Sequence, residues 1–232
     1  GAALFALPAF MILEQPNLST TLVTTVIIVS VVFCSGVSYK WILGVLAVLF
    51  PLGVVFVYML QYEMIPFLRG YQATRILAWI NPKEYSDAYW QQENSIMAIG
   101  SGQLWGKGLN NTEIASVKNG NFLSEEQTDF IFAIIGEEMG FVGAMIVIAL
   151  FLLLVYECLM MAYRAKDLSG RLICTGMATL LAFQSFANIA VATAIFPNTG
   201  LPLPFVSYGV SSLLSLYIGI GVVLNVGLQR RY

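Results

Sequence analysis

The chain has 232 residues, 58% hydrophobic and only 10% charged, with a formal net charge of −2. Soluble domains carry about 25% charged residues, so this composition and a mean hydropathy of +0.79 exclude an ordinary soluble domain and indicate an all-α polytopic membrane protein. There is no basic surface to suggest nucleic acid and no histidine to act as base or metal ligand, and Cys34, Cys158 and Cys174 lack disulfide or metal-motif spacing.

The first residues, Gly1-Ala2-Ala3-Leu4, bring neither Met nor a basic leader. The apolar stretch 1–13 is too short to cross a membrane, as a clipped helix would be. The expected organisation is a single membrane domain, 1–232, truncated at its amino terminus. Crossing the hydrocarbon takes about 20 apolar residues, and five segments qualify: roughly 18–36, 41–61, 130–162, 172–197 and 205–228. Helices are the expected form because they satisfy their own backbone hydrogen bonds.

Basic residues in short loops set the orientation. Lys40, the group Arg164, Lys166 and Arg171, and the pair Arg230 and Arg231 alternate consistently with six spans. Those turns are expected in the cytoplasm. The Glu14–Thr20 turn, the loop at 62–129 and the turn Pro197–Pro204 then face outward.

The 62–129 loop is too long to be a plain connection. It carries Trp79, Trp90 and Trp105 with Tyr62, Tyr71, Tyr85 and Tyr89, residues that favour membrane interfaces. A short helix is predicted over Ser86–Ile99, with Ser86 as its cap and Tyr89, Trp90, Ile96, Met97 and Ile99 supplying apolar faces. Four glycines follow within residues 100–108. The predicted picture is a folded cap lying on the outer membrane surface.

Asp129 stands where this loop meets an apolar span. An ionisable group at the edge of the membrane is a functional candidate, because burying it is costly. It could serve as a general base or as a ligand for a divalent cation such as magnesium or manganese. It could also be a carboxylate at a helix N-terminus, with Thr128 or Asp129 itself as N-cap. Glu137 lies eight residues on, with Glu138 next to it. Glu137 is expected to share the Asp129 face and line a polar cleft, or else to hydrogen-bond between helices. Glu14, at the end of the clipped span before Pro16, either faces the same cavity or is a plain helix end.

Lys107, between Gly106 and Gly108, could meet a phosphate through its ammonium and the adjacent amides. Arg75, Arg69 and Lys118 are further outer cations beside the cap, and solvated loop charges are the bland alternative for all of them. The segment 196–209 is rich in Pro and Gly at membrane depth. Irregular backbone is tolerated there only when buried in protein or lining a cavity. Ser207, Tyr208, Ser211 and Ser212 are candidates to satisfy it.

Several of these motifs in order resemble one family. They are Leu7-Pro8 with Glu14-Gln15-Pro16-Asn17-Leu18, Trp79-Ile80-Asn81-Pro82, Gly100-Ser101-Gly102 with Gly106-Lys107-Gly108, Thr128-Asp129-Phe130-Ile131-Phe132-Ala133 with Gly136-Glu137-Glu138, and Pro202-Leu203-Pro204-Phe205-Val206-Ser207-Tyr208-Gly209. The chain resembles SEDS proteins, the RodA/FtsW/SpoVE group, over essentially its whole length. The resemblance implies the carboxy-terminal six of ten transmembrane helices with a large extracytoplasmic loop. It implies a peptidoglycan glycosyltransferase in the bacterial cytoplasmic membrane, polymerising lipid II beside a class B penicillin-binding protein, with Asp129 as the essential aspartate. Asn17 stands where the family often has Asp, and Val210 where it often has Gly.

The expected chemistry is inverting transfer. Asp129 is the catalytic base, or a cation ligand; Lys107 or Arg75 offsets the diphosphate charge; Glu14, Glu137 and Ser207 contact substrate. The rival expectations are a flippase for a lipid-linked precursor and a non-catalytic scaffold of a division or elongation complex.

Overall fold

The computed structural model describes residues 18–61, 71–109 and 127–229. The described residues form α1 (Leu18–Cys34), α2 (Tyr39–Gln61), α3 (Tyr71–Ile80), α4 (Ser86–Ser101), α5 (Ile131–Arg164), α6 (Leu168–Ala192) and α7 (Val210–Leu228), with no strand among them. Of these, α5, α6 and α7 are long and apolar enough to cross a membrane. Their exposed faces carry Leu150, Leu153, Leu214 and Ile218, each more than half exposed. In water such a surface would invite association; in lipid it is the contact face.

The central element is α6, which packs against α5, α1, α7 and the end of α4. Its buried positions are mostly small: Gly170, Cys174, Thr175, Ala178, Ser185, Ala187, Ala190 and Ala192. Hydrocarbon gives no hydrophobic drive for one apolar helix to join another, so membrane helices associate by close packing. Small side chains on α6 allow that on several sides at once. Hydroxyls in the apolar helices also fold back on their own backbone, as in Thr24 and Thr25 of α1, which donate to Thr20 O and Thr21 O at 2.8 Å.

The helix directions sort the charged turns to two ends. Ser19, in the first turn of α1, donates to Thr199 O beyond the end of α6. Asp129 precedes α5, so it shares that end. Lys40, Arg164, Lys166 and Arg171 lie at helix ends on the opposite side.

Three features differ from the predicted ones. First, α6 stops at Ala192 and α7 starts at Val210, so residues 193–209 form one long connection. The helix cannot continue because Ala194 and Phe205 hold left-handed backbone, φ 55 and 62, and three prolines intervene. Second, Tyr85 and Phe130 are the N-caps of α4 and α5, and neither cap has a side-chain hydrogen bond. Ser86 and Asp129 therefore do not cap these helices. Third, the apolar residues expected on α4 divide between its two sides, with Ile99 packed against the core beside Ala98. Its buried side holds Gln92, Asn94, Ser95 and Ala98, while Trp90, Ile96 and Met97 are exposed.

The glycine-rich segment explains itself against α5. At Gly140 the helix breaks, with φ 67 and ψ −167. A break frees carbonyls before it and amides after it, and those groups need partners. The loop supplies them. Lys107 N and Gly108 N donate to Glu137 O and Glu138 O at 2.9 and 3.0 Å, and Phe141 N and Val142 N donate to Gln103 O and Leu104 O at 2.8 and 3.2 Å. The loop and the broken helix thus complete each other's backbone.

Candidate functional site

The connection 193–209 is the hub of the Asp129 end. Its carbonyls, with those of the last turn of α6, collect side-chain donors from several elements. Trp79 of α3 donates to Ala194 O at 2.9 Å. Gln92 of α4 donates to Val191 O and Phe196 O at 3.1 and 2.8 Å, and Ser95 to Ala192 O at 2.7 Å. Gln184 of α6 donates to Pro202 O at 2.9 Å. This is why α4 buries a polar face: it satisfies irregular backbone that has no helix or sheet partner.

Asp129 enters through two anchors. Asn188, 1% exposed, donates to Asp129 O at 2.8 Å and to Leu201 O at 2.7 Å. Ser207 donates to Thr128 O at 2.5 Å and accepts from Leu203 N at 2.7 Å. The residue before Asp129 and the backbone of Asp129 itself are therefore clamped to the connection. Its carboxylate, half-buried, comes to Gly200, the residue with φ 68. A Cβ there would stand 3.2 Å from Asp129 Oδ2 and 3.4 Å from Arg75 Nη1. The same guanidinium donates to Asn198 O at 3.3 Å, and Asn198 is held by Gln91 at 3.1 Å. A carboxylate from the start of α5 and a guanidinium from α3 thus flank one bare turn. Asn188 Oδ1 and Thr199 Oγ1 are buried there without a hydrogen-bond partner among the described residues.

The predicted site residues separate into groups. Asp129 and Arg75 come together at Gly200. Ser207, 2% exposed, sits behind them as part of the clamp. Replacing Ser207 by Ala removes both hydrogen bonds, including the one that satisfies the buried amide of Leu203. We expect a loss of about 1–3 kcal/mol, read as a lower melting temperature of the full-length protein in detergent.

Lys107 and Glu137 join each other instead. Lys107 Nζ donates to Glu137 Oε1 at 2.7 Å, with the Glu137 side chain 1% exposed. Glu137 therefore packs against the glycine-rich loop, and the expectation that it shares a cleft face with Asp129 is corrected. The break at Gly140 makes its carbonyl and side chain the receptor for the loop. Because the amides of Lys107 and Gly108 are committed to α5 carbonyls, they do not form a phosphate cradle. Glu14, Arg69 and Lys118 lie outside the described residues.

Among the described residues no group of three or more acidic or cysteine side chains could hold a metal ion. Among the described residues, Asp129 alone offers too few ligands at Gly200 for a resident divalent cation.

Sequence reasoning missed Gln91, Gln92, Ser95, Asn188 and Asn198. Two signals were present. Asn188 lies inside a largely apolar span, where an uncompensated amide is costly, and Gln92 and Ser95 stand three apart, on one helix face.

Comparisons with known proteins agree with this architecture. A family model described as cell cycle protein, FTSW_RODA_SPOVE, matches residues 2–232. A probable peptidoglycan glycosyltransferase FtsW from Geobacter sp. (strain M18) is 34% identical over 222 residues, covering 95% of this chain and 57% of that protein. The peptidoglycan glycosyltransferase MrdB of Escherichia coli (strain K12) is 35% identical over 230 residues, covering 98% and 59%. The chain thus spans less than two thirds of these relatives' length. A solved chain from a peptidoglycan synthase complex superposes with a TM-score of 0.74 at 31% identity, covering 98% of this chain and 61% of that one. A mutant of the Thermus thermophilus rod shape determining protein RodA gives a TM-score of 0.60 at 27% identity, covering 99% and 56%.

Proposed function

We propose, since the chain belongs to the FtsW/RodA/SpoVE family, that the full-length protein is a peptidoglycan glycosyltransferase. It would polymerise lipid II into β-1,4 glycan on the outer face of the bacterial cytoplasmic membrane, beside a class B penicillin-binding protein. This chain would supply six of ten spanning helices and the large outer loop. The observation that carries the reading is the approach of both Asp129 Oδ2 and Arg75 Nη1 to the bare turn at Gly200.

Glycosyl transfer from an α-linked lipid diphosphate needs two things from the protein. The acceptor 4-hydroxyl must lose its proton as its oxygen bonds to C1 of the donor, and the departing diphosphate must be stabilised as the C1–O bond breaks. Asp129 takes the proton. Arg75 offsets charge on the diphosphate, in a half-buried setting where one charge acts more strongly than in water. No general acid is needed, since a diphosphate leaves as an anion. Attack opposite the leaving group inverts C1 from α to β. A divalent cation, where one takes part, would arrive with the diphosphate and share Asp129 with it. The placing of Asp129 at the end opposite Arg164, Lys166 and Arg171 supports the outward location, because basic turns favour the cytoplasm.

The test is synthesis by the purified full-length protein in vesicles supplied with lipid II. We expect glycan strands resolved as a ladder by electrophoresis. Transfer of lipid II between leaflets with no polymer would instead establish a flippase, and neither activity would leave a scaffold.

A further inference from the structure

The tip of the glycine-rich loop exposes three large apolar side chains: Leu104 at 60%, Trp105 at 79% and Leu109 at 74%. Next to them, Lys107 is drawn inward to Glu137. The local arrangement is the reverse of a water-facing loop, with the cation tucked in and the indole out.

The backbone pairing fixes where this tip lies. Phe141 N and Val142 N bond to Gln103 O and Leu104 O, so the tip abuts α5 at Phe141. The part of α5 without charged residues runs from Met139 to Tyr156, between Glu138 and Glu157. Those eighteen residues rise about 27 Å, close to the hydrocarbon thickness of roughly 30 Å. Phe141 therefore stands at the outer edge of the hydrocarbon. It is 60% exposed, and Met145 and Ile146, also exposed, continue the same lipid-facing surface down α5. The tip is continuous with that surface.

We propose that the Leu104–Trp105–Leu109 tip is a membrane-interface anchor, with its occupant the acyl and headgroup boundary of the outer leaflet. An indole at that depth places its apolar ring in the acyl region and its N–H toward the headgroups. Pairing with the broken α5 lets a non-helical segment sit at this depth, since Gln103 O, Leu104 O, Lys107 N and Gly108 N already have partners there. The Lys107–Glu137 pair keeps the loop's one cation away from the acyl chains. The expected cap lying flat on the surface becomes a wedge pinned to the leaflet beside α5.

The test is spin-label accessibility in the full-length protein, freed of other reactive cysteines and reconstituted in phosphatidylcholine–phosphatidylglycerol vesicles. Labels are placed at Trp105→Cys, at Leu104→Cys and, as a water-facing reference, at Glu93→Cys on α4. We expect the ratio of oxygen collisions to nickel-chelate collisions to be severalfold higher at 104 and 105 than at 93. A ratio at both tip positions equal to that at 93 would place the loop in water and overturn the proposal. Low collision rates with both reagents would mean that protein covers the tip, which overturns it too. Either tip position alone suffices if the other variant does not fold. The readout is independent of glycan synthesis, so it stands or falls apart from the proposed activity.

Discussion

Full-length protein carrying Asp129→Asn is expected to make no detectable glycan from lipid II while unfolding at nearly the wild-type temperature. The substitution keeps the shape of the side chain and removes its capacity to hold a proton. Losing a positioned general base costs about two to four orders of magnitude in rate. The structural role of this residue lies in its backbone, through the bond from Asn188 to Asp129 O, and Asn preserves it. A carboxylate that only paired with neighbouring charge would behave otherwise. Its replacement would lower the melting temperature and leave the rate per folded molecule intact. Arg75→Lys supplies a second arm. Lysine keeps the charge and loses the planar fork, so an intermediate rate is expected if the guanidinium faces a diphosphate. Near-normal polymerisation by Asp129→Asn would remove the base from the mechanism.

How much of this was legible in the sequence follows from which forces act locally. The long apolar segments announced themselves, because a membrane helix needs only composition and length. Their alternation could be read from Lys40 and the Arg164–Arg171 turn, and the helix directions agree. Asp129 and Arg75 were individually visible as outward charges. Their convergence was not, since it depends on Gly200 in a left-handed conformation and on a connection folded by donors from α3, α4 and α6. Nothing in the spacing of residues 75, 129 and 200 encodes that meeting. The break at Gly140 was hidden for a similar reason. A glycine within a helical pattern is usually tolerated, and only its pairing partner 30-odd residues upstream shows why this one turns. Glu137 was misread because Asp129 lies ahead of the N-cap Phe130, so a helical count does not start at it, and because Lys107 arrives from a distant loop. For Lys107, flanking glycines suggested amides free for an anion, whereas those amides complete a helix end.

Gly140→Ala is the second large effect, and it acts on the fold rather than the chemistry. A Cβ at this position would overlap the amide nitrogen of Gly106 and crowd the carbonyl of Leu104, backbone atoms that cannot swing aside as a flexible side chain can. The φ of 67 with ψ of −167 is also a region that residues with a Cβ rarely enter, at a cost of about 1–3 kcal/mol. Relieving the clash would push the loop off α5 and break the four backbone bonds at Glu137, Glu138, Phe141 and Val142. The Lys107–Glu137 pair would lose its geometry with them, leaving a buried carboxylate less well compensated. A loss of roughly 4–5 kcal/mol or more is expected, in the range reached only by disrupting several interactions at once. The measurement is the melting temperature of the full-length protein, with hydrogen exchange at 102–108 as the local report. Gly221→Ala, on α7 where a Cβ meets nothing within 4 Å, is the control and should be neutral or slightly stabilising. Equal melting temperatures for the two variants would mean that the loop is not held to the broken helix in the way these contacts require.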